Sequence, residues 1–162
     1  MTAGNHPGAG VLVVGVGRRD RGDDAVGPAI AERARELVPP GVTVMERLEP
    51  AGLIDAWDGA EAVVVTDALR SGRPPGTVHV LHACSGPLPV GTGAGIAHGL
   101  GLADVIELGR ALRRLPPELV VVGVEARQFG LGRPMSPQVR ASVEQAARTV
   151  AGVIRAWREG TA

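Results

Sequence analysis

The stretch that decides the fold is VLVVGVGRRDRGDDAVG, residues 11–27. Its first six residues, Val11–Val16, form a continuous run rich in β-branched side chains, which is typical of a strand buried on both faces. A charged loop follows at Arg18–Asp24. From Val26 the apolar side chains recur at helical spacing, and Asp24 stands where it could cap that helix. The stretch therefore predicts a strand, an acidic loop and a helix, which is how an α/β domain opens.

Short strands and helical segments alternate along the rest of the chain. Further strands are predicted at 42–45, 62–66, 77–82 and 119–124, and helices at about 53–57, 98–115 and 136–158. This alternation favours an α/β sandwich with a mostly parallel sheet. Only about ten residues separate the third strand from the fourth, whereas a parallel crossover needs a dozen or more. We therefore expect the fourth strand to run antiparallel to the others.

The composition fits one domain and excludes several kinds of catalytic and structural chemistry. With 162 residues and 44% hydrophobic side chains, the chain suits a single core, which we assign to residues 11–158 after a flexible tail at 1–10. Seventeen basic and seventeen acidic residues balance, which argues against a nucleic-acid partner. Every basic residue is arginine, so lysine chemistry is excluded, and a single cysteine, Cys84, excludes an internal disulfide. Carboxylates and the four histidines must carry any acid–base or metal chemistry.

The N-terminus and the apolar runs carry no membrane signal. Residues 1–10 lack the basic start and the apolar stretch of a secretory signal. The apolar runs are too short to cross a bilayer. We therefore expect a cytoplasmic protein with no membrane partner.

Two acidic positions are predicted to meet at one crevice. Ligands of open α/β sheets bind beyond the carboxyl ends of the strands, where the strand order reverses. If the second and third strands flank the first, that point lies between the first and third strands. The side chains just past these two strand ends are Asp23 or Asp24 and Asp67. Asp24 could instead act only as a helix cap, but Asp67 ends an apolar strand, where a carboxylate is costly without a partner or ligand.

One histidine is placed to join these carboxylates. His98 opens the third predicted helix beside the Gly-rich stretch Gly91–Gly95, which we expect to be mobile without substrate. It could be structural; alternatively, Asp24, Asp67 and His98 form a set that suits a divalent metal or acid–base catalysis. His79 and His82 are three apart on a strand and point to opposite faces, so we expect structural or solvated roles.

Three other kinds of site are disfavoured. The glycines Gly15 and Gly17 lack the third glycine of a dinucleotide fingerprint, and the nearby acids would repel a pyrophosphate. None of the four serines lies in a Gly-x-Ser-x-Gly motif, which excludes the common serine hydrolase signature. Cys84 is the remaining candidate nucleophile, and we interpret it as an incidental loop residue.

Five sequence blocks resemble the hydrogenase maturation endopeptidases. The opening at Val13–Gly27 is similar to their strand, Gly-x-Gly-Asn loop and acid pair. Val65–Ala68, followed by Pro75–Thr77, resembles their second acidic block, and His98–Val105 resembles their histidine block. Val122–Glu125 and the segment from Leu131 through Ser136, Pro137 and Val139 complete the series. The blocks occur in the family's order and cover roughly residues 11–158.

The resemblance implies a specific fold, reaction and site. It implies a three-layer α/β/α sandwich whose five-stranded mixed sheet has an antiparallel fourth strand. The family removes a C-terminal extension from the large-subunit precursor of nickel–iron hydrogenase after nickel insertion. Its metal-contacting residues correspond to Asp24, Asp67 and His98. These groups are thought to contact nickel held by the precursor, so no permanently bound cofactor is expected.

Two departures from the family pattern leave alternatives open. Arg18 replaces the family's Asn, and Ala25 replaces a Gly after the acid pair. Arg18 could pair with Asp23 or Asp24, or could contact an acidic substrate tail. The alternative function is a non-catalytic nickel-checkpoint or chaperone-like protein on the same fold. A mechanistic variant of the protease is an aspartic peptidase in which Asp24 and Asp67 share a proton.

Overall fold

Strands and helices alternate along nearly the whole chain, of which the computed structural model describes residues 10–89 and 100–160. The strands are β1 (Val11–Val16), β2 (Thr43–Arg47), β3 (Ala62–Leu69), β4 (Val78–His82) and β5 (Glu118–Glu125). The helices are α1 (Val26–Ala34), α2 (Leu53–Ala56), α3 (Leu102–Ala111) and α4 (Pro137–Arg158). None of the helices in the described ranges is long and apolar enough to span a membrane.

The five strands form one mixed sheet in the order β2-β1-β3-β5-β4. β1 pairs in parallel with β2 and β3, and β3 pairs in parallel with β5. β4 pairs with β5 antiparallel, as the short connection predicted. Because β2 and β3 flank β1, the strand order reverses where the sequence placed the crevice.

Helices cover both faces of the sheet and make three layers. One apolar cluster joins β1, β3 and β5 to α1 and α4, around Ile30, Val64 and Val150. The other cluster packs the opposite face against α2 and α3, around Leu53, Trp57 and Ile106. The predicted α/β/α sandwich with an antiparallel fourth strand is confirmed.

Glycines let α1 lie directly on the sheet. A Cβ at Gly27 would lie 2.1 Å from the carbonyl oxygen of Val16 and 2.7 Å from that of Thr66. The Thr66 hydroxyl donates to the Gly27 carbonyl at 2.7 Å, inside the core. Backbone contact at this point fixes the start of α1, and with it the acidic loop that precedes the helix.

Some predicted boundaries differ from the structure. The third strand was expected to stop at 66, but β3 continues to Leu69 because its ladder with β5 extends through Leu69 and Glu125. Asp67 therefore lies within the strand. The third helix was expected from about His98, whereas α3 begins at Leu102. The single-domain assignment of 11–158 stays a prediction, and residues 1–9 of its tail lie outside the described ranges.

Candidate active site at the carboxyl edge of the sheet

The loop after β1 folds back on itself around Asp24. Gly17 has a φ of 141°, and a Cβ there would lie 2.0 Å from the Asp24 carbonyl oxygen. The backbone N–H of Arg18 donates to Asp24 Oδ2 at 2.7 Å. One interpretation of the sequence was that Asp24 caps α1. In the structure Asp24 lies in a 3₁₀ turn, Gly22–Ala25, and Ala25 occupies the cap position. Its carboxylate is bound from the other side of the loop instead.

Asp23, the neighbour of Asp24, has a structural role. It is fully buried and accepts hydrogen bonds from the backbone N–H groups of Arg127, Gln128 and Ser136, at 2.6–3.0 Å. The Ser136 hydroxyl adds a fourth, at 2.9 Å. These donors occupy both carboxylate oxygens and fasten the segment after β5 to the acidic loop. Of the two candidates at this position, Asp24 is therefore the one left for chemistry.

Asp67 lies on β3, next to β1 in the sheet, and is 5% exposed. Its Oδ1 accepts the N–H of Ala68 at 2.8 Å. Burial raises the pKa of Asp67 well above its usual value, and the negative charge of Asp24 raises it further, against a smaller opposing effect of the Ala68 hydrogen bond. The two carboxylates are thus close enough to repel each other, as their positions at adjacent strand ends predicted.

The pKa of the second carboxyl group is raised as well. Burial raises the pKa of Asp24, but the Arg18 N–H and the nearby charges of Arg21 and Arg18 oppose that rise. Asp24 and Asp67 therefore both keep their protons to a higher pH than an exposed aspartate does.

The expected third member of the site, His98, lies outside the described residues, as does Gly91–Gly95. Within residues 10–89 and 100–160, no three His, Cys, Asp or Glu side chains cluster as a metal site would require. Asp24 and Asp67 supply two oxygen ligands, so a divalent ion would need a further donor from His98 or from a bound substrate.

A cavity of about 440 Å³ lies at the ends of β1 and β2, beside the loop whose backbone binds Asp24. Its lining combines charged side chains with one largely exposed leucine: Gly17, Arg18, Arg19, Asp20, Glu46, Arg47 and Leu48. Its volume lies within the range of ligand-binding pockets in proteins.

Comparison with known proteins identifies the family to which this geometry belongs. A sequence model described as hydrogenase maturation protease matches residues 30–153. The chain belongs to the hydrogenase maturation protease family.

Individual relatives agree with this membership. The chain is 31% identical to the hydrogenase 2 maturation protease of Escherichia coli over 90% of each chain. It is 28% identical to the hydrogenase expression/formation protein HoxM of Azotobacter vinelandii, over 100% of this chain and 81% of that one. The solved structure of the E. coli hydrogenase maturating endopeptidase HybD aligns with a TM-score of 0.70 and 27% identity, over 90% of this chain and 91% of that one.

Membership confirms the expected activity: this maturation protease is an endopeptidase that processes a hydrogenase large-subunit precursor. The comparisons give no support to the non-catalytic nickel-checkpoint alternative. The aspartic-type mechanism, the roles of Asp24, Asp67 and His98, and the absence of a resident cofactor are untested by them and stay predictions.

Cys84 of the protease lies far from the two carboxylates along the strand direction. It follows β4, whose last residue, His82, pairs with Val120 near the start of β5. That end of β4 is at the amino edge of the parallel strands, opposite to the edge that carries Asp24. The Cys84 Sγ contacts the carbonyl of Pro116 at 3.5 Å. This placement agrees with the interpretation of Cys84 as an incidental loop residue.

Glu125 is a buried acid to which the sequence analysis gave no role. It is 1% exposed, and both the backbone N–H and the hydroxyl of Ser71 donate to it. His79 Nε2 lies 3.2 Å from Glu125 Oε1, poorly aligned for a hydrogen bond. His79 thus has a structural contact, whereas His82 is exposed. The available signal was that Glu125, like Asp67, follows a run of apolar residues in the sequence.

One expectation was that the Arg18 side chain pairs with Asp23 or Asp24. The structure does not show this pairing. The Arg18 guanidinium contacts Asp20, with Nε 3.3 Å from Oδ1, at the surface. The backbone of Arg18, and not its side chain, binds Asp24. This arrangement leaves the Asp24 carboxylate free of a direct ion pair with Arg18.

Proposed function

We propose that this protease removes the C-terminal extension of a nickel–iron hydrogenase large-subunit precursor after nickel insertion, through Asp24, Asp67 and His98. The observation that carries this assignment is the pair of buried, mutually repelling carboxylates at the point where the strand order reverses. Burying two such groups side by side is unfavourable unless they serve a ligand or a reaction. The reaction is proposed to take place in the cytoplasm.

Each of the two carboxylates keeps one oxygen for the proposed substrate or metal contact. One oxygen of each accepts a backbone N–H, from Arg18 for Asp24 and from Ala68 for Asp67. Among the described residues no donor binds the second oxygen of either group. Carboxylate and imidazole ligands suit a borderline divalent ion, so Asp24, Asp67 and His98 would complete the coordination of nickel that the precursor brings. That contact would place the scissile tail next to the 440 Å³ cavity, where positioning contributes to the rate.

The raised pKa of both buried carboxyl groups supports a mechanistic variant. With Asp24 ionised and Asp67 protonated, the pair has the state of an aspartic peptidase, in which one group takes a proton from water and the other donates one. This variant needs no nickel, so the two versions of the proposal differ in what the substrate must contain.

The deciding experiment is a gel-shift assay of the precursor, loaded with nickel or nickel-free. We expect only the loaded precursor to be shortened, and we expect Asp67→Asn and His98→Ala to abolish the reaction. Cys84→Ser and His79→Ala are the controls that should remain nearly as active as the wild type. Equal cleavage of nickel-free precursor would overturn nickel sensing and favour the aspartic dyad. Loss of activity in Cys84→Ser alone would point to a thiol peptidase.

A further inference from the structure

Two segments at the carboxyl edge of the sheet contain arginines and no acids. Residues 70–77 include Arg70 and Arg73, and residues 126–143 include Arg127, Arg133 and Arg140, with no Asp or Glu in either segment. We call these five arginines the basic rim. The chain as a whole has no net charge, so the acids that balance these five arginines lie in other segments.

The two segments form one continuous surface. The N–H of Ala126 donates to the Leu69 carbonyl, and the N–H of Gly76 donates to the Glu125 carbonyl, both at 2.9 Å. The guanidinium of Arg70 lies over the ring of Phe129, 5.2 Å from its centre. The first turn of α4 closes the surface, because the Gly76 backbone lies against that of Gln138.

The basic rim borders the proposed active site. Arg70 follows Asp67 by three residues. On the other side, the backbone of Arg127 donates to Asp23, whose neighbour is Asp24. A polypeptide that places one bond at the carboxylates can therefore reach the rim within a few residues, at about 3.3–3.6 Å per extended residue.

The charges of the basic rim are not neutralised within the described part of the chain. All five side chains are exposed, and none has a carboxylate oxygen within ion-pair distance there. Elsewhere arginines pair, as Arg33 does with Glu144 at 2.6 Å. The acids behind the rim, Glu125 and Asp23, are buried. Glu125 accepts hydrogen bonds from Ser71, and Asp23 accepts them from Ser136.

We propose that the basic rim docks an acidic segment of the hydrogenase precursor, away from the bond that is cut. The inference rests on the proposed function, since it concerns the same substrate. Guanidinium groups bind carboxylates through paired hydrogen bonds, and a one-sign surface beside a cleft accelerates the approach of an oppositely charged partner. Leu131, 71% exposed in the same segment, offers an apolar contact within this charged surface.

The test compares two double charge reversals of equal size. R73E/R127E changes two exposed rim side chains, and R35E/R155E changes two exposed arginines at the ends of α1 and α4, on the opposite edge. Both variants lower the net charge by four. Steady-state processing of the nickel-loaded precursor is measured at low salt and at 0.5 M NaCl, where the screening length falls to about 4 Å.

For R73E/R127E we expect kcat/KM to fall about tenfold at low salt with kcat unchanged, and the loss to shrink at high salt. R35E/R155E should match the wild type under both conditions. Equal KM values for the two variants, with the wild type active, would overturn docking at the rim while leaving the protease assignment intact. An inactive wild type would instead contradict the proposed function. Binding of a short DNA duplex by the wild type and not by R73E/R127E, with an unchanged KM for the precursor, would assign the rim to nucleic acid and overturn the proposal.

Discussion

Asp23 accepts hydrogen bonds from both the backbone N–H and the hydroxyl of Ser136, a residue 113 positions later in the chain. Ser136 occupies the cap position of α4, but its hydroxyl serves Asp23 and makes no capping bond to the helix. One buried carboxylate therefore joins the loop beside Asp24 to the start of the last helix. The adjacent acids Asp23 and Asp24 thus differ: the first holds the loops together, and the second is the one proposed to act in the reaction.

Removing the Asp23 carboxylate should destabilise the fold strongly. Asp23→Ala leaves three N–H groups and one hydroxyl without their acceptor, those of Ser136 in the interior, and we expect a loss on the order of 3–5 kcal/mol in the free energy of unfolding. Chemical denaturation measures it. Asp20→Ala is the control, because that side chain is exposed in the same loop, and it should leave the unfolding midpoint unchanged. A similar unfolding midpoint for both variants would show that the hydrogen bonds of Asp23 do not hold these segments together.

Asp67→Asn should stabilise the protein at neutral pH while abolishing its activity. The pKa of Asp67 is raised in the folded state, so the unfolded chain ionises first, and folding stability falls as pH rises from about 4 through the folded pKa. Asn carries no charge and removes this penalty. The melting temperatures of wild type and variant should therefore coincide near pH 3 and diverge at pH 7–8 in favour of the variant. A variant less stable than wild type at pH 8 would contradict the buried, repelled carboxyl.

Gly27→Ala should destabilise the protein by about 1–3 kcal/mol, because the new Cβ meets two backbone carbonyls that cannot rotate away. Gly152→Ala is the matched control. Gly152 lies within α4 with nothing within 4 Å of its Cβ position, so alanine there should stabilise by about 0.5–1 kcal/mol. Thermal unfolding of both variants gives the comparison, and equal shifts would refute close packing of α1 on the sheet.

The strands and the antiparallel direction of the fourth followed from local patterns, whereas the roles of individual acids depended on distant contacts. The β-branched runs of β1 and β3 and the short connection to β4 were enough to predict the mixed sheet. They also placed Asp24 and Asp67 at one crevice. The division between Asp23 and Asp24 could not be predicted, because the partners of Asp23 lie 104–113 residues away. The sequence predicted that Asp67 follows its strand, because the β-branched run ends at Thr66. In the structure the pairing with β5 continues past that run, so Asp67 lies within β3.

The strand order has a consequence for how the protein is made. β4 is synthesised before β5, yet β5 lies between β3 and β4 in the sheet. A nascent chain that has not reached residue 118 therefore exposes one apolar edge of β3 and carries a β4 that has no strand to pair with. The edge of β3 and the strand β4 gain their partner only when β5 inserts between them. Asp23 can bind the start of α4 only after Ser136 has also been synthesised. The loop next to Asp24 is thus completed only after both β5 and the start of α4 have left the ribosome.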